Sequence, residues 1–379
     1  MSLKILVPPK VLQDQLRKCL SLSSFGIFSS QAVDEISIVA SNDFGSETIS
    51  VKVSAVVQAE GKFVVDMARL STLCTGMTEL VTLEAKEVSG KNKVLVKHKR
   101  SLFKLDNADI SSIKLINLVG YKEALAKHVK VDISELVAVA TSAVIPKNIL
   151  TKSEKNTKPF YTAICMEIEP DMICFTSAIN SCTCMNYLPT RENNYGTEKL
   201  KHILNADSLD KIARVFASAD KNDTDCIIFH ANYIGIISKN VSFFCAKSSA
   251  SFPDIRKVAS TFSERGFSVG VSQSLFKAAL NRAKISVDHR VVLEVFDKIM
   301  HIKTPDSSDE LELENGGETD EIRIGFNSAL MHTIVSSYAS EVIEIQMNES
   351  VSPFIISSDE SNCTFYVMPI TPETYKEIV

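Results

Sequence analysis

The sequence predicts an α+β fold built from three repeats, each with two helices packed on antiparallel sheet. Three observations predict it. One helix signature recurs three times, in KFVVDMARLSTL, HILNADSLDKI and IGFNSALMHTI. A second, in VPPKVLQDQLRKC, VDISELVAVATSA and VSQSLFKAALNRA, precedes each copy of the first. Between them run short alternating segments rich in β-branched and aromatic residues, with Gly, Asn, Asp and Ser in the gaps, as antiparallel strands require.

The first signature leaves an apolar strand end through Asp66, Asn205 or Asn327. Asp and Asn cap helices because the side-chain oxygen accepts an otherwise orphaned backbone N–H. Four and seven residues on stand Leu70 and Leu73, Leu209 and Ile212, Met331 and Ile334, which is one apolar helix stripe. The second signature starts at Val7, Val131 and Val271, and its stripes are Leu12 and Leu16, Leu136 and Ala140, Phe276 and Leu280. Segments such as EISIVAS, ETISVKVSAVV, CIIFHANYIGIIS, VSFFCAK, VIEIQMN and CTFYVMPI supply the strands. Each repeat therefore reads helix, strands, helix, strands, the pattern of helices laid on one face of a sheet. The predicted domains are 1–125, 126–256 and 257–379, with connectors at 114–128 and 258–266.

Composition narrows the function. A chain of 379 residues with 45% hydrophobic and 23% charged residues has the make-up of a globular protein of two or three domains. No apolar run approaches the ~20 residues that span a bilayer. The first residues, MSLKILVPPK, have no basic-then-apolar leader, so a cytoplasmic protein without a membrane partner is expected. Nine scattered cysteines form no CxxC pair, and the CxC of Cys182 and Cys184 predicts reduced core residues on one strand face. A net charge of −5 argues against a wholly basic nucleic-acid binder but not against cations gathered on one surface. Among enzyme signals, GxGxxG, GxxxxGK[ST], HExxH and GxSxG are all missing, and the seven histidines lack metal-ligand spacing. No catalytic residue, metal or cofactor is therefore expected. Two segments look like solvated loops: 146–159, with Lys147, Lys152, Lys155 and Lys158, and the acidic 305–321.

Four segments carry a family resemblance. FPDIRKV at 252–258 resembles the FPDY-R-R-V signature of the DNA polymerase III beta subunit, the bacterial sliding clamp. LFKAALNRAKIS at 275–286 resembles that family's helix opening domain three. EIRIGFNSALMHTIV at 321–335 resembles its I-G-F-N helix, and YVMPI at 366–370 its V-M-P-M end. They occur in family order with family-like spacing, and the whole chain aligns to that family without a large gap. The resemblance implies three DNA-clamp domains in a head-to-tail homodimeric ring, with no catalysis. It also implies partners: duplex DNA held without regard to sequence, and polymerase and clamp-loader subunits bound through short hydrophobic peptides.

The family's helices line the hole of the ring. By resemblance, DNA would meet Lys10, Arg17, Lys18, Arg69, Lys211, Arg214, Lys277, Arg282 and Lys284, with Lys147 and Lys152 from the Lys-rich segment. The partner cleft, between domains two and three, would use Thr176, Ala178, Ile179, Pro253, Val258, Pro353, Tyr366, Met368, Pro369 and Ile370. Phe103 and Ile285 align with the aromatic and its apolar partner at the subunit interface. Three departures stand out. Where the family carries T-D-G-H-R-L, this chain has Thr176, Ser177, Ala178, Ile179, Asn180 and Ser181, which predicts a more apolar cleft that reads charge less. The stretch after the first helix, SLSSFGIF, is short, and TPETYKEIV runs past the family's usual end. Two rival readings remain: a clamp paralogue or regulator with an altered cleft, and an enzyme with a dispersed site.

Overall fold

The three nominated cap residues each hold a helix start. Asp66 accepts from the Arg69 N–H at 3.0 Å and Asn327 from the Leu330 N–H at 2.9 Å. Asn205 accepts one residue earlier, from the Asp207 N–H at 2.8 Å. Of the stripes behind these caps, Leu70, Leu209, Ile212, Met331 and Ile334 are fully buried, and Leu73 is half-buried. Val7, Val131 and Val271, the last apolar residues before the other three helices, are buried too.

The computed structural model describes residues 3–118, 121–218, 224–260, 267–286, 289–316, 322–348 and 350–371, and of Val258 the backbone alone. The rest of the connector 258–266 beyond Ser260, part of the acidic segment and the C-terminal residues 372–379 lie outside the described residues.

The chain forms two compact units. One consists of Met1–Val137, Thr190–Thr197 and Asp210–Lys247. Its larger sheet has nine antiparallel strands, in the order 192–193, 129–132, 225–230, 233–237, 241–246, 47–54, 35–41, 25–32 and 62–66. Strand Glu47–Ser54 thus pairs with Val241–Ala246, with Ile49 opposite Phe243 and Val51 opposite Val241. A second sheet runs 56–59, 4–7, 81–88, 91–98 and 101–106. Helices Pro9–Leu20 and Met67–Cys74 pack together, tied by Gln13, whose amide donates to the Ser71 carbonyl at 2.9 Å. Phe28 and Phe63 stack at 4.9 Å in the core. Beside strand Asp225–His230, Phe229, Tyr233 and Phe244 meet edge to face, with Tyr121 of the connector helix Tyr121–Ala126 against them. Gly235 is required there, since a Cβ would stand 2.4 Å from the Phe229 ring.

The other unit consists of Ala138–Pro189, Glu198–Leu209 and Ser248–Val379. Its eight-stranded sheet runs 200–205, 163–168, 172–179, 182–189, 361–367, 354–358, 342–347 and 267–272. Here Cys182–Pro189 pairs with Ser361–Val367, with Cys182 opposite Val367 and Cys184 opposite Phe365. A four-stranded sheet runs 308–312, 299–303, 290–296 and 322–327. Helices Gln273–Ala283 and Ser328–Val335 pack together, and the Gln273 amide donates to the Val335 carbonyl at 2.9 Å. One continuous core lies under both sheets and includes Cys182, Cys184 and Cys363. All nine cysteines are free and buried.

Two loop expectations are corrected. The segment 146–159 is largely helical, with turns at Ile145–Ile149 and Lys152–Lys155. Pro146 opens the first, and Thr151 with Glu154 forms a reciprocal capping box on the second. Within 305–321, Ser308–Glu312 is a strand that pairs with Ile299–Lys303, and Asp309 in it grips Arg282. Asn327→Ala removes a cap whose loss typically costs about 1 kcal/mol. Urea unfolding should show that decrease with an unchanged slope, and an unchanged midpoint would deny the cap its role.

Candidate functional site

The FPDIRKV segment becomes the wall of a groove. Asp254 precedes helix Ile255–Ser260 and accepts from the Lys257 N–H at 3.3 Å. Arg256 pins the helix to the sheet. It pairs with Glu169 and, at 3.5 Å, with Glu167, and its guanidinium lies 6.0 Å from the Tyr187 ring centroid. The Arg256 hydrogen bond holds the Glu169 carboxyl below its ordinary range. Ile255 and Ala259, four residues apart, share the inner face of the helix. Ala259 packs on Cys174 and Met185, with Tyr187 and Tyr366 alongside.

Two strand ends supply the other walls. Ile179 and Cys182 flank the turn between Met172–Ile179 and Cys182–Pro189, and the Met368 N–H donates to the Ser181 carbonyl at 2.9 Å. In Ser361–Val367 the side chains alternate, with Cys363, Phe365 and Val367 buried in the core. Tyr366 and Met368 take the opposite face and open onto the groove. Burial pushes the Tyr366 phenol up. The groove encloses about 420 Å³, counted to its open mouth, between Ile179, Asn180, Cys182, Thr183, Ile255, Ala259, Pro353, Tyr366 and Met368. None of these nine side chains carries a charge.

The expected cleft residues divide. Ile179, Pro353, Tyr366 and Met368 line the groove. Thr176 and Ala178 do not: both are buried, and the Thr176 hydroxyl lies 3.6 Å from the Cys174 sulfur. Both stand on the groove side of the sheet, with Ala178 opposite Thr183 and Thr183 opposite Tyr366, but are covered there, while Ile179 reaches the groove from the strand end. Pro253, Pro369 and Ile370 stand outside the walls, and Ile370 is bridged to Gly325. The side chain of Val258 lies outside the described residues. Sequence reasoning missed Cys182, Thr183, Ile255 and Ala259 as walls. The helical spacing of the last two was a signal in plain view.

The expected cations divide as well. Lys10, Arg17, Arg69, Lys152 and Arg214 are exposed, and Lys277 and Lys284 half-exposed. Among the described residues Lys10, Lys152, Lys277 and Lys284 meet no carboxylate within 4.0 Å, while Arg17 and Arg69 reach Asp14 and Asp66 only at 3.5 Å. Burial, and then the ammonium groups of Lys284 and Lys277, hold His332 below its ordinary range, so these three side chains share one surface. Lys18 and Lys147 are corrections: both are buried, and Lys147 pairs with Asp207. Lys211 faces the buried Glu47, Arg214 pairs with Asp210 one turn away, and Arg282 holds Asp309 with Nη2 at 2.6 Å. Phe103 is exposed on the end strand Ser101–Asp106 of the five-stranded sheet, next to exposed Leu102. Ile285, 84% exposed, follows helix Gln273–Ala283.

Residues 264–371 match the family described as DNA polymerase III beta subunit, C-terminal domain. The beta sliding clamp of Staphylococcus epidermidis is 21% identical over 345 residues, covering 86% of this chain and 87% of that one. The chain is thus similar to beta sliding clamps over most of its length, and residues 264–371 carry the match to the family's C-terminal domain. Its fold matches that of the sliding clamp from Pseudomonas aeruginosa, a structure bound to griselimycin, with a TM-score of 0.82 at 15% identity, over 98% of this chain and 100% of that one. The beta subunit of Streptococcus pyogenes gives a TM-score of 0.82 at 13% identity, over 97% and 99%. The fold of these clamps is therefore present here although most side chains differ.

Among the described residues no helix is long and apolar enough to cross a membrane, and no group of three metal-ligating side chains gathers. Lys211→Ala takes away the ammonium facing a buried carboxylate, and about 2 kcal/mol of stability should go with it. Arg214→Ala should cost about 0.5 kcal/mol or less, because its pair is exposed and local. Chemical denaturation of both variants checks the contrast, and equal effects would make Lys211 an ordinary surface cation.

Proposed function

We propose that this chain is a non-catalytic DNA sliding clamp. Two copies close head to tail into a ring around duplex DNA, and the groove tethers polymerase and clamp-loader subunits through short apolar peptides. One observation carries this above the rest. A chain whose fold follows sliding clamps almost end to end also opens an uncharged groove from FPDIRKV and YVMPI, two of the segments that carry the resemblance. Apolar burial of about 25 cal/mol per Å² supplies peptide affinity in such a groove, and flexible Met368 suits several partners.

We read the domains as 1–125, 126–256 and 257–379, supported by the repeated caps and stripes. The proposed DNA face uses Lys10, Arg17, Arg69, Lys152, Arg214, Lys277 and Lys284. A phosphate can replace the long, exposed pairs of Arg17 and Arg69, while Lys18, Lys147, Lys211 and Arg282 are taken up within the protein. Contacts of this kind read no sequence and weaken with salt, which suits sliding. A closed ring needs only such a modest lining, consistent with a net charge of −5. Head-to-tail contacts through Phe103 and Ile285 would cover an apolar edge and close under twofold symmetry. Nine free, buried cysteines accord with the cytoplasm as its compartment.

Retention on DNA tests the proposal. Incubated with nicked circular plasmid and a clamp-loader ATPase, then filtered in high salt, the protein should stay with the circle and leave once the plasmid is linearised. Loss from both forms, or equal retention on both, would contradict topological binding.

A further inference from the structure

The groove wall is uncharged, and Asn180 stands where the family resemblance places an arginine. A cation nevertheless reaches its mouth from another element. Lys158 precedes the 3₁₀ turn Pro159–Thr162, and its ammonium donates to the Asn180 side-chain oxygen at 2.8 Å. The same nitrogen lies 5.8 Å from the Phe160 ring centroid and 5.6 Å from that of Tyr161. Phe160 in turn meets Tyr161 edge to face at 5.0 Å and Phe252 at 6.2 Å. Tyr161 is buried in the core and Phe160 packs against it. The rings and Asn180 thus position a side chain that would otherwise sweep freely through solvent.

Two exposed cations near the groove meet no carboxylate within 4.0 Å among the described residues, Lys257 on the wall helix and Lys158, and of the two Lys158 is the one hydrogen-bonded to a groove-lining side chain. Arg256 is engaged by Glu167 and Glu169, and Lys201 and Lys199 each reach one of these carboxylates at 3.5 Å. Lys158 meets no carboxylate within 4.0 Å among the described residues, and it is exposed. A positioned, uncompensated ammonium beside an apolar groove complements one occupant: a peptide whose apolar side chains fill the groove and whose neighbouring residue is a carboxylate.

We propose that Lys158 is a specificity-determining residue of the groove, reading an acidic residue that flanks the apolar part of a partner peptide. This rests on the peptide-groove function proposed above. It also revises the expectation of a cleft that reads charge less. The cation has moved from the strand turn to the segment 146–159, and Asn180 has become its hydrogen-bond acceptor.

Fluorescence polarisation on the full-length protein tests it with two eight-residue probes. Both carry the same Leu and Phe side chains, flanked by Asp-Asp in one and Asn-Asn in the other. The natural protein should prefer the acidic probe about two- to fivefold at low salt, the range an exposed ion pair supports. The preference should shrink as salt rises. It should vanish in Lys158→Gln, invert in Lys158→Glu and persist in Lys158→Arg. A merely structural lysine would change both affinities together and leave their ratio alone. Equal binding of the probes by the natural protein, or a preference that survives Lys158→Gln, overturns the proposal while the groove stands. Binding of neither probe by any of the proteins overturns the groove function itself, and this proposal with it.

Discussion

An open sheet edge is the constraint on which this structure turns. A strand with unpaired N–H and C=O groups invites uncontrolled pairing, so each repeat must have its edges covered. Here one repeat covers another. Glu47–Ser54 of the first pairs with Val241–Ala246 of the second, and Cys182–Pro189 of the second pairs with Ser361–Val367 of the third. The residues opposite each other, Phe243 and Ile49, Cys184 and Phe365, are large or fully buried, so the joints are core as well as ladder. This is why the strands between Val129 and Ala246 are shared between the two compact units. The end strand Ser101–Asp106, with Leu102 and Phe103 exposed, repeats the same problem at the chain's own limit.

The groove follows from the second of these joints. Pairing Cys182–Pro189 with Ser361–Val367 sets the turn at Ile179 to Cys182 beside Tyr366 and Met368. The core takes one side of these strands, and the other is left for helix Ile255–Ser260 to flank. Arg256 keeps that helix in place by spanning Glu167 and Glu169 on a neighbouring strand. The signature segment therefore acts partly through structure. Its arginine is fully engaged by carboxylates, and its Ile255 forms a wall.

Local physics was legible in the sequence and long-range pairing was not. Caps at Asp66 and Asn327, and stripes at Leu12, Leu16, Met331 and Ile334, depend on neighbours within two turns and could be read directly. The helical turns of 146–159 were also readable, since Pro146 suits a first helical position and Thr151 with Glu154 spells a capping box. The four lysines drew attention to charge instead. Burial of Lys147 against Asp207, sixty residues away, and capture of Arg282 by Asp309 depend on tertiary packing that no local pattern encodes. Of the groove, the strand side at Ile179, Tyr366 and Met368 was legible through resemblance. The helix side at Ile255 and Ala259 needed the chain's own periodicity, and Lys158 required a contact between segments that are not neighbours in sequence.

On the proposed function, the chain's exposed apolar edge is completed by a second copy. Light scattering on the untagged protein over a range of concentrations tests it most directly. A mass near twice the 41.7 kDa chain should persist on dilution and fall to that of a single chain in Phe103→Asp. A strict monomer at every concentration would contradict it.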